Sequence, residues 1–281
     1  MKTGMMTAPG AEIYYEVRGS GPPLLLVNGG DGDAAMFGPL AGTLATDHTV
    51  ITYDPRGNSR SRFTGSPAAQ RIEEHARDAH LLLDTVAAGE PAYVFGTSYG
   101  GMVGMDLLVR HPGRVRALVA HEPFVIDLLP DADEWHALCQ EVYELYEQAG
   151  TDVAMQRFGA AIGVEGPPPA SSASGLPAPV REMLARIHGN METCLAYELR
   201  SFTRFRPDVD ALRTAPFALV IGGEGPKTLM HRVTRTLAEH TGSDVADFPG
   251  GHVGYLTHPA DFAAALRTAL GAAAGTAAPG H

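Results

Sequence analysis

Cysteine is nearly missing: Cys139 and Cys194 are the only two in 281 residues. That is too few for a disulfide framework, and without a C-x-x-C pair no zinc-site spacing exists, so both are expected to be reduced, packed thiols. Basic residues are also short, 21 against 32 acidic ones, for a formal net charge of −11. Such a balance disfavours nucleic-acid backbones and anionic membranes as partners. No stretch approaches the ~18 apolar residues of a membrane span, and Met1–Met6 lacks the apolar core of a signal peptide. Neither G-x-x-x-x-G-K-[ST] nor a G-x-G-x-x-G after a strand run occurs, so no cofactor is expected. These absences predict a cytoplasmic protein with no nucleic acid and no membrane as partner; a monomer or homodimer is expected.

What is present predicts a folded enzyme-sized core. Hydrophobic residues make up 44% of the chain and charged ones 19%, which excludes wholesale disorder. Gly and Pro together number 54, above the usual share of roughly 12%, with no repeat to account for them. They must serve turns, caps and close backbone approaches. From Leu24 onward, short apolar runs alternate with helical periodicity, the pattern of a parallel sheet with crossover helices. Leu24–Val27, Thr49–Tyr53, Ala92–Phe95, Val115–Ala120 and Phe217–Ile221 read as buried strands, and Val245–Phe248 as a more exposed one. Ile13–Val17 alternates and reads as an antiparallel strand at the sheet edge. Ile72–Ala87, Tyr99–Val109, Thr228–His240 and Pro259–Leu270 read as helices.

Residues 123–207 break the alternation. Two helical patterns, Trp135–Phe158 and Val180–Phe205, flank a proline-rich centre from Gly166 to Pro179 that cannot be one helix. The division expected is a core of residues 1–122 and 208–270, a helical lid of 123–207, and a frayed tail of 271–281.

The chemistry concentrates in Gly96-Thr97-Ser98-Tyr99-Gly100. G-x-S-x-G is weak evidence alone, but here a strand run ends at Gly96 and a helical run begins at Tyr99, the context in which a serine is presented on a tight strand-to-helix turn. Serine needs a histidine to take its proton and a carboxylate to hold that histidine's tautomer. His252, in a Gly-flanked loop after the last strand run, has the right place in chain order. His258 precedes Pro259 at a helix start, where a local capping role suits it better.

These residues resemble the α/β-hydrolase family from about Ile13 to Leu270, most weakly across the lid. The resemblance implies a mostly parallel α/β-hydrolase sheet with flanking helices and a helical lid inserted between two core strands. Asp54-Pro55-Arg56-Gly57-Asn58-Ser59-Arg60-Ser61 is similar to the family's D-x-R-G-x-G-x-S, with Ser59 replacing the second glycine; Asp54 and Arg56 are expected to be a loop-fixing pair. Asn28-Gly29-Gly30-Asp31-Gly32 stands where the family has H-G-x-x-G. The resemblance carries the oxyanion hole onto the backbone N–H groups of Gly30 and Tyr99, which need no particular side chain. The same run mimics one calcium-binding nonapeptide, but a lone copy is a poor metal site.

The acid departs from the common pattern. After the strand that follows the lid, the expected aspartate falls on Gly225, next to Glu224. The family's other location, after the strand that precedes the lid, holds Glu122, which is the chosen acid, with Glu224 as the alternative. His121 is read as local structure or pocket lining.

Ser98 in place of an aspartate argues against epoxide-hydrolase and dehalogenase chemistry. The resulting expectation is hydrolysis of a small ester or lactone by Ser98, His252 and Glu122. Two rivals stay open: other chemistry on the same scaffold, such as C–C hydrolysis, cofactor-free peroxidation or natural-product tailoring, and a noncatalytic ligand-binding protein. Trp135, Phe158, Phe202, Phe205, Met155, Met183 and Met191 could line an apolar pocket, although packing is the commoner use of such residues. Arg200, Arg204 and Arg206 read as a solvated helix face.

Overall fold

The computed structural model describes residues 1–164, 175–223 and 228–276. Its strands follow the apolar runs closely. β1 (Lys2–Ala8) and β2 (Ala11–Arg18) form a hairpin, followed by β3 (Pro23–Val27), whose five residues are all buried. After α1 (Gly38–Leu44) come β4 (Thr49–Tyr53), the two-residue β5 (Arg62–Phe63) and α2 (Ile72–Ala87). The centre of the sheet is β6 (Ala92–Thr97), α3 (Tyr99–Arg110) and β7 (Val115–His121). Strands run in the order β1-β2-β4-β3-β6-β7 and continue into β8 (Phe217–Gly222) and β9 (Val245–Phe248), with β5 paired to β2. Pairing is antiparallel where β2 is involved and parallel elsewhere.

Burial along β3, β6 and β7, broken only at Tyr93 and Arg116, follows from helices covering both faces. Leu25, Val27, Val94 and Leu118 pack in one core with residues of α2 and α3. The alternate residues Leu24, Leu26, Phe95 and Val119 pack in a second core with α1 and the C-terminal helix. Alternating side-chain direction along each strand is what divides the two.

Between β7 and β8 lie the helices α4 (Ala132–Ala149), α5 (Thr151–Ile162) and α6 (Ala178–Thr193), the π-turn Cys194–Glu198 running into α7 (Leu199–Phe202), and α8 (Val209–Leu212). The chain then forms α9 (Leu229–Thr241), α10 (Gly254–Thr257) and α11 (Pro259–Thr276). Among the described residues no helix is long and apolar enough to cross a membrane.

Several sequence expectations need correcting. The edge strand is β1, not Ile13–Val17, which belongs to the second strand of the sheet. β1 carries only two buried residues, Met6 and Ala8, too few to register as alternation. The Trp135–Phe158 pattern is two helices, broken at Gly150 with φ 87°. The second pattern is interrupted by the π-turn at Cys194. Residues 271–276 are the last turns of α11, not a frayed end, and packing of Leu270 and Ala273 explains why the helix continues. The centre of the proline-rich stretch, 165–174, and residues 277–281 lie outside the described residues.

Candidate active site

Parallel register brings the carboxyl ends of the central strands level, because Val27 pairs with Gly96, Thr97 with His121, and His121 with Val220. The loops that leave those ends therefore meet. Ser98 follows β6 directly with φ 54° and ψ −122°, and Glu122 follows β7 with φ 45°. Backbone of this kind costs a non-glycine residue about 1–3 kcal/mol and persists where neighbours hold it. The holding bonds are Ser98 N–H to His121 O at 2.9 Å and Glu122 N–H to Val220 O at 3.0 Å.

The elbow's small residues are explained by contact. A Cβ on Gly96 would lie 2.1 Å from Gly100 O, and one on Gly100 would lie 2.2 Å from Val27 O. Any side chain there would push α3 off the sheet. Tyr99 is the first residue of α3, so its N–H is one of the helix's unsatisfied donors. Gly29 sits against Ser98, where an added Cβ would come 3.3 Å from the serine Cβ. The loop after β3 thus places Gly30 beside the elbow.

Glu122 is 2% exposed and divides its two oxygens between two donors. Oε1 accepts the Gly222 N–H at 3.1 Å, and Oε2 lies 2.6 Å from Nδ1 of His252. Burial alone would push this carboxyl up; the His252 hydrogen bond, the charges of His121 and His252, and the Gly222 N–H outweigh it and bring the group down to about 2. An ionised carboxylate accepts, so Nδ1 of His252 donates and Nε2 is left to take a proton. Among the described residues no hydrogen bond joins Ser98 Oγ to His252; such contacts commonly tighten only with substrate bound. Ser98 and His252 face one cavity of about 420 Å³ that also takes in Gly30, Asp31 and Tyr99.

Other expectations divide. Glu224 lies outside the described residues. His258 ends α10 and shares a 2.9 Å hydrogen bond with Thr257, a local role. His121 is fully buried, bonded through Nδ1 to Thr97 Oγ1 at 3.0 Å, and stacked on Phe95 and His252. Asp54 and Arg56 do not pair with each other. Arg56 forks onto Asp78 at 2.6 and 2.7 Å, and Asp54 accepts from Ala34 N–H and from Arg60. Phe158, Met155 and Met183 line the cavity. Phe202 and Met191 are core residues, while Trp135 and Phe205 pack against the core. Arg200 lies over the Tyr143 ring and Arg206 pairs with Asp127, in keeping with a surface role.

Two residues that the sequence did not single out belong to this region. His231 of α9 brings Nδ1 to 3.8 Å from Glu122 Oε1. Asn190 of α6, 2% exposed, donates to the carbonyls of Asp31 and Gly32 at 3.0 Å each and to Ser59 Oγ at 2.8 Å, and accepts the Ser59 N–H at 2.6 Å. It clamps the helical insertion to the loop after β3. Ser59, standing at a glycine position of the family pattern, has φ 53° and uses its hydroxyl in the same clamp. Asn190→Ala takes the donor from the buried Gly32 carbonyl and the partly buried Asp31 carbonyl and should lower stability by about 2–4 kcal/mol. Denaturant unfolding checks this, and a change below about 0.5 kcal/mol would refute the clamp.

The buried histidine sets an acid limit. Burial brings His121 down to about 4 from 6.5, so between these values the unfolded chain binds a proton that the fold excludes. His121's contribution is complete above pH 6.5 and is lost as pH falls toward 4; Glu122, ionised in the fold down to about 2, adds a loss between 4.5 and 2. A melting temperature on the order of 5 °C or more lower at pH 4 than at pH 7 is expected, with a smaller drop in His121→Asn. An equal drop in wild type and His121→Asn would mean that His121 protonates freely in the folded protein.

Comparisons with known proteins agree with this fold. Over 288 residues the chain is 34% identical to the uncharacterized hydrolase YraK of Bacillus subtilis strain 168, with 96% of each chain covered. A thermophilic esterase from Thermogutta terrifontis shares its fold at TM-score 0.72 and 20% identity, covering 97% of this chain and 99% of that one. Est816, named as an N-acyl homoserine lactone degrading enzyme, does so at TM-score 0.68 and 23% identity, covering 94% and 99%. Residues 22–259 match the sequence model for the alpha/beta hydrolase fold, and with the full-length relative this places the chain in the α/β-hydrolase family.

Proposed function

We propose that the protein is a serine hydrolase that cleaves a small ester or lactone through an acyl-enzyme. Ser98 Oγ attacks the carbonyl carbon while His252 Nε2 takes its proton. The N–H groups of Gly30 and Tyr99 stabilise the oxyanion, and Glu122 holds the imidazolium. The leaving alcohol departs with the proton from His252; water, deprotonated by the same nitrogen, then releases the acid and restores Ser98. The observation that carries the reading is the strained Ser98 facing the same cavity as a histidine held at 2.6 Å by a buried, ionised carboxylate. A binding protein has no use for that arrangement, which favours catalysis over the noncatalytic reading.

In this reading residues 123–207 act as a lid on a core of 1–122 and 208–270, and Met155, Phe158 and Met183 give the cavity its preference for apolar acyl or alcohol groups. A panel of esters and lactones, with carbamates included because they present the same acyl carbonyl, identifies the bond class. Intact-mass detection of an acyl adduct on Ser98 supports the mechanism. Turnover without any adduct, even under rapid quench, would favour the other chemistries that this scaffold hosts.

A further inference from the structure

Asp31 and Asp33 stand two residues apart in the loop after β3, and their surroundings are opposite. Asp33 is fully buried and well paired: Arg186 donates to it at 2.6 and 3.2 Å, Arg60 at 3.4 Å and the Ala35 N–H at 2.8 Å. Its carboxyl lies below the ordinary range because these partners outweigh its burial. Asp31 faces the catalytic cavity beside Gly30, Ser98 and His252. Among the described residues no donor or cation from another residue reaches its carboxylate. The nearby guanidinium groups are committed elsewhere, Arg186 to Asp33, and Arg60 to Asp54 at 2.7 and 2.9 Å and to Glu16 at 3.1 Å. Burial accordingly raises the Asp31 carboxyl, partly offset by its own N–H and by His252.

Of the other groups lining the cavity, His252 offsets this burial only in part, and its Nδ1 is committed to Glu122. Among the described lining residues Asp31 is the only acid and no lysine or arginine is present; Met36, Phe158, Ile162, Met183 and Leu184 set the character of the walls. A carboxylate facing such walls is unfavourable unless something pairs with it. The position is fixed, because Asn190 holds the carbonyls of Asp31 and Gly32. Asp31 is also the residue after the Gly30 donor, so a group that reaches it lies only a few bonds from the reacting carbonyl.

We propose that Asp31 is a specificity-determining residue that pairs with an ammonium group carried by the substrate close to the scissile carbonyl. An ammonium is favoured over a neutral hydroxyl because charge-assisted hydrogen bonds are roughly twice as strong and because the net charge of −11 draws cations toward the protein. The proposal rests on the serine-hydrolase reading, and the test separates the two.

Two pairs of esters of matched shape probe the acyl and alcohol sides: p-nitrophenyl β-alaninate against p-nitrophenyl butyrate, and protonated 2-(dimethylamino)ethyl acetate against 3-methylbutyl acetate. In at least one pair the wild-type protein should favour the cationic member in kcat/KM by about tenfold or more, and Asp31→Asn should remove most of that preference. The readout is a ratio within one protein, so loss of folded material or of general activity in the variant cancels. A ratio unchanged by Asp31→Asn in both pairs, or no cationic preference in either, overturns the proposal. If no ester is turned over, the hydrolase reading fails on its own, and calorimetric binding of β-alaninamide to wild type and Asp31→Asn decides the ammonium site. About tenfold weaker binding in the variant supports it, and equal or undetectable binding in both rejects it.

Discussion

Ser98→Ala should lower kcat on any ester that the wild-type protein cleaves by about 10⁴- to 10⁶-fold, with KM little changed. In the proposed mechanism the hydroxyl is the atom that forms the acyl bond, beside the Gly30 and Tyr99 donors. The substitution is also clean structurally. Alanine keeps the Cβ, so the strain at φ 54° is the same in both proteins. Among the described residues Ser98 Oγ takes no hydrogen bond that its removal would strand. Unfolding measurements should therefore separate wild type and variant by less than about 0.5 kcal/mol. Labelling with a serine-reactive phosphonate, read by intact mass, should vanish in the variant. Esterase activity that persists in Ser98→Ala above the rate left by the oxyanion donors would remove Ser98 from the mechanism.

The parts of this site that were legible in the sequence are those that local pattern dictates. Ala92–Thr97 and Tyr99–Arg110 announce a strand and a helix, and Gly96 and Gly100 announce how tightly they join, so the position of Ser98 could be read directly. His252 followed from glycines after a strand run. Glu122 was reachable only through the family resemblance, since a glutamate before a proline has many local uses. Its left-handed backbone and its bond across 130 residues to His252 leave no local trace. Asn190 escaped for the same reason: its partners are 131 to 159 residues away, and an asparagine within a helical pattern looks like a surface residue. Arg56 was correctly read as architectural, but the fold gave it Asp78 from α2 because that carboxylate reaches it as a fork while Asp54 is engaged by Arg60. Gly150 showed the opposite failure. Apolar periodicity ran across it, and only its positive φ separates α4 from α5.

Glu122→Gln should reduce kcat by about 10³- to 10⁴-fold while leaving the chain folded, the largest loss expected from any change that spares the nucleophile and His252. The reason lies in the two donors that converge on the carboxylate. Gly222 N–H points at Oε1 and His252 Nδ1 at Oε2, so the site needs two acceptors, and a carboxamide has only one. If the glutamine turns its NH₂ toward Gly222, two donors face each other in a buried space. If it turns the NH₂ toward His252, it donates to Nδ1 and moves the ring proton to Nε2, where the nitrogen can no longer accept the Ser98 proton. The second arrangement relieves the backbone clash, and it silences the base. Either orientation also removes the negative charge that stabilises the imidazolium. Glu122→Asp keeps two acceptors but shortens their reach, and should recover part of the lost rate without restoring it fully. Glu224→Gln, measured beside them, should change kcat by less than about threefold. A severe loss in Glu224→Gln with Glu122→Gln near wild type would move the acid to the other strand end and leave the 2.6 Å Glu122–His252 contact as architecture.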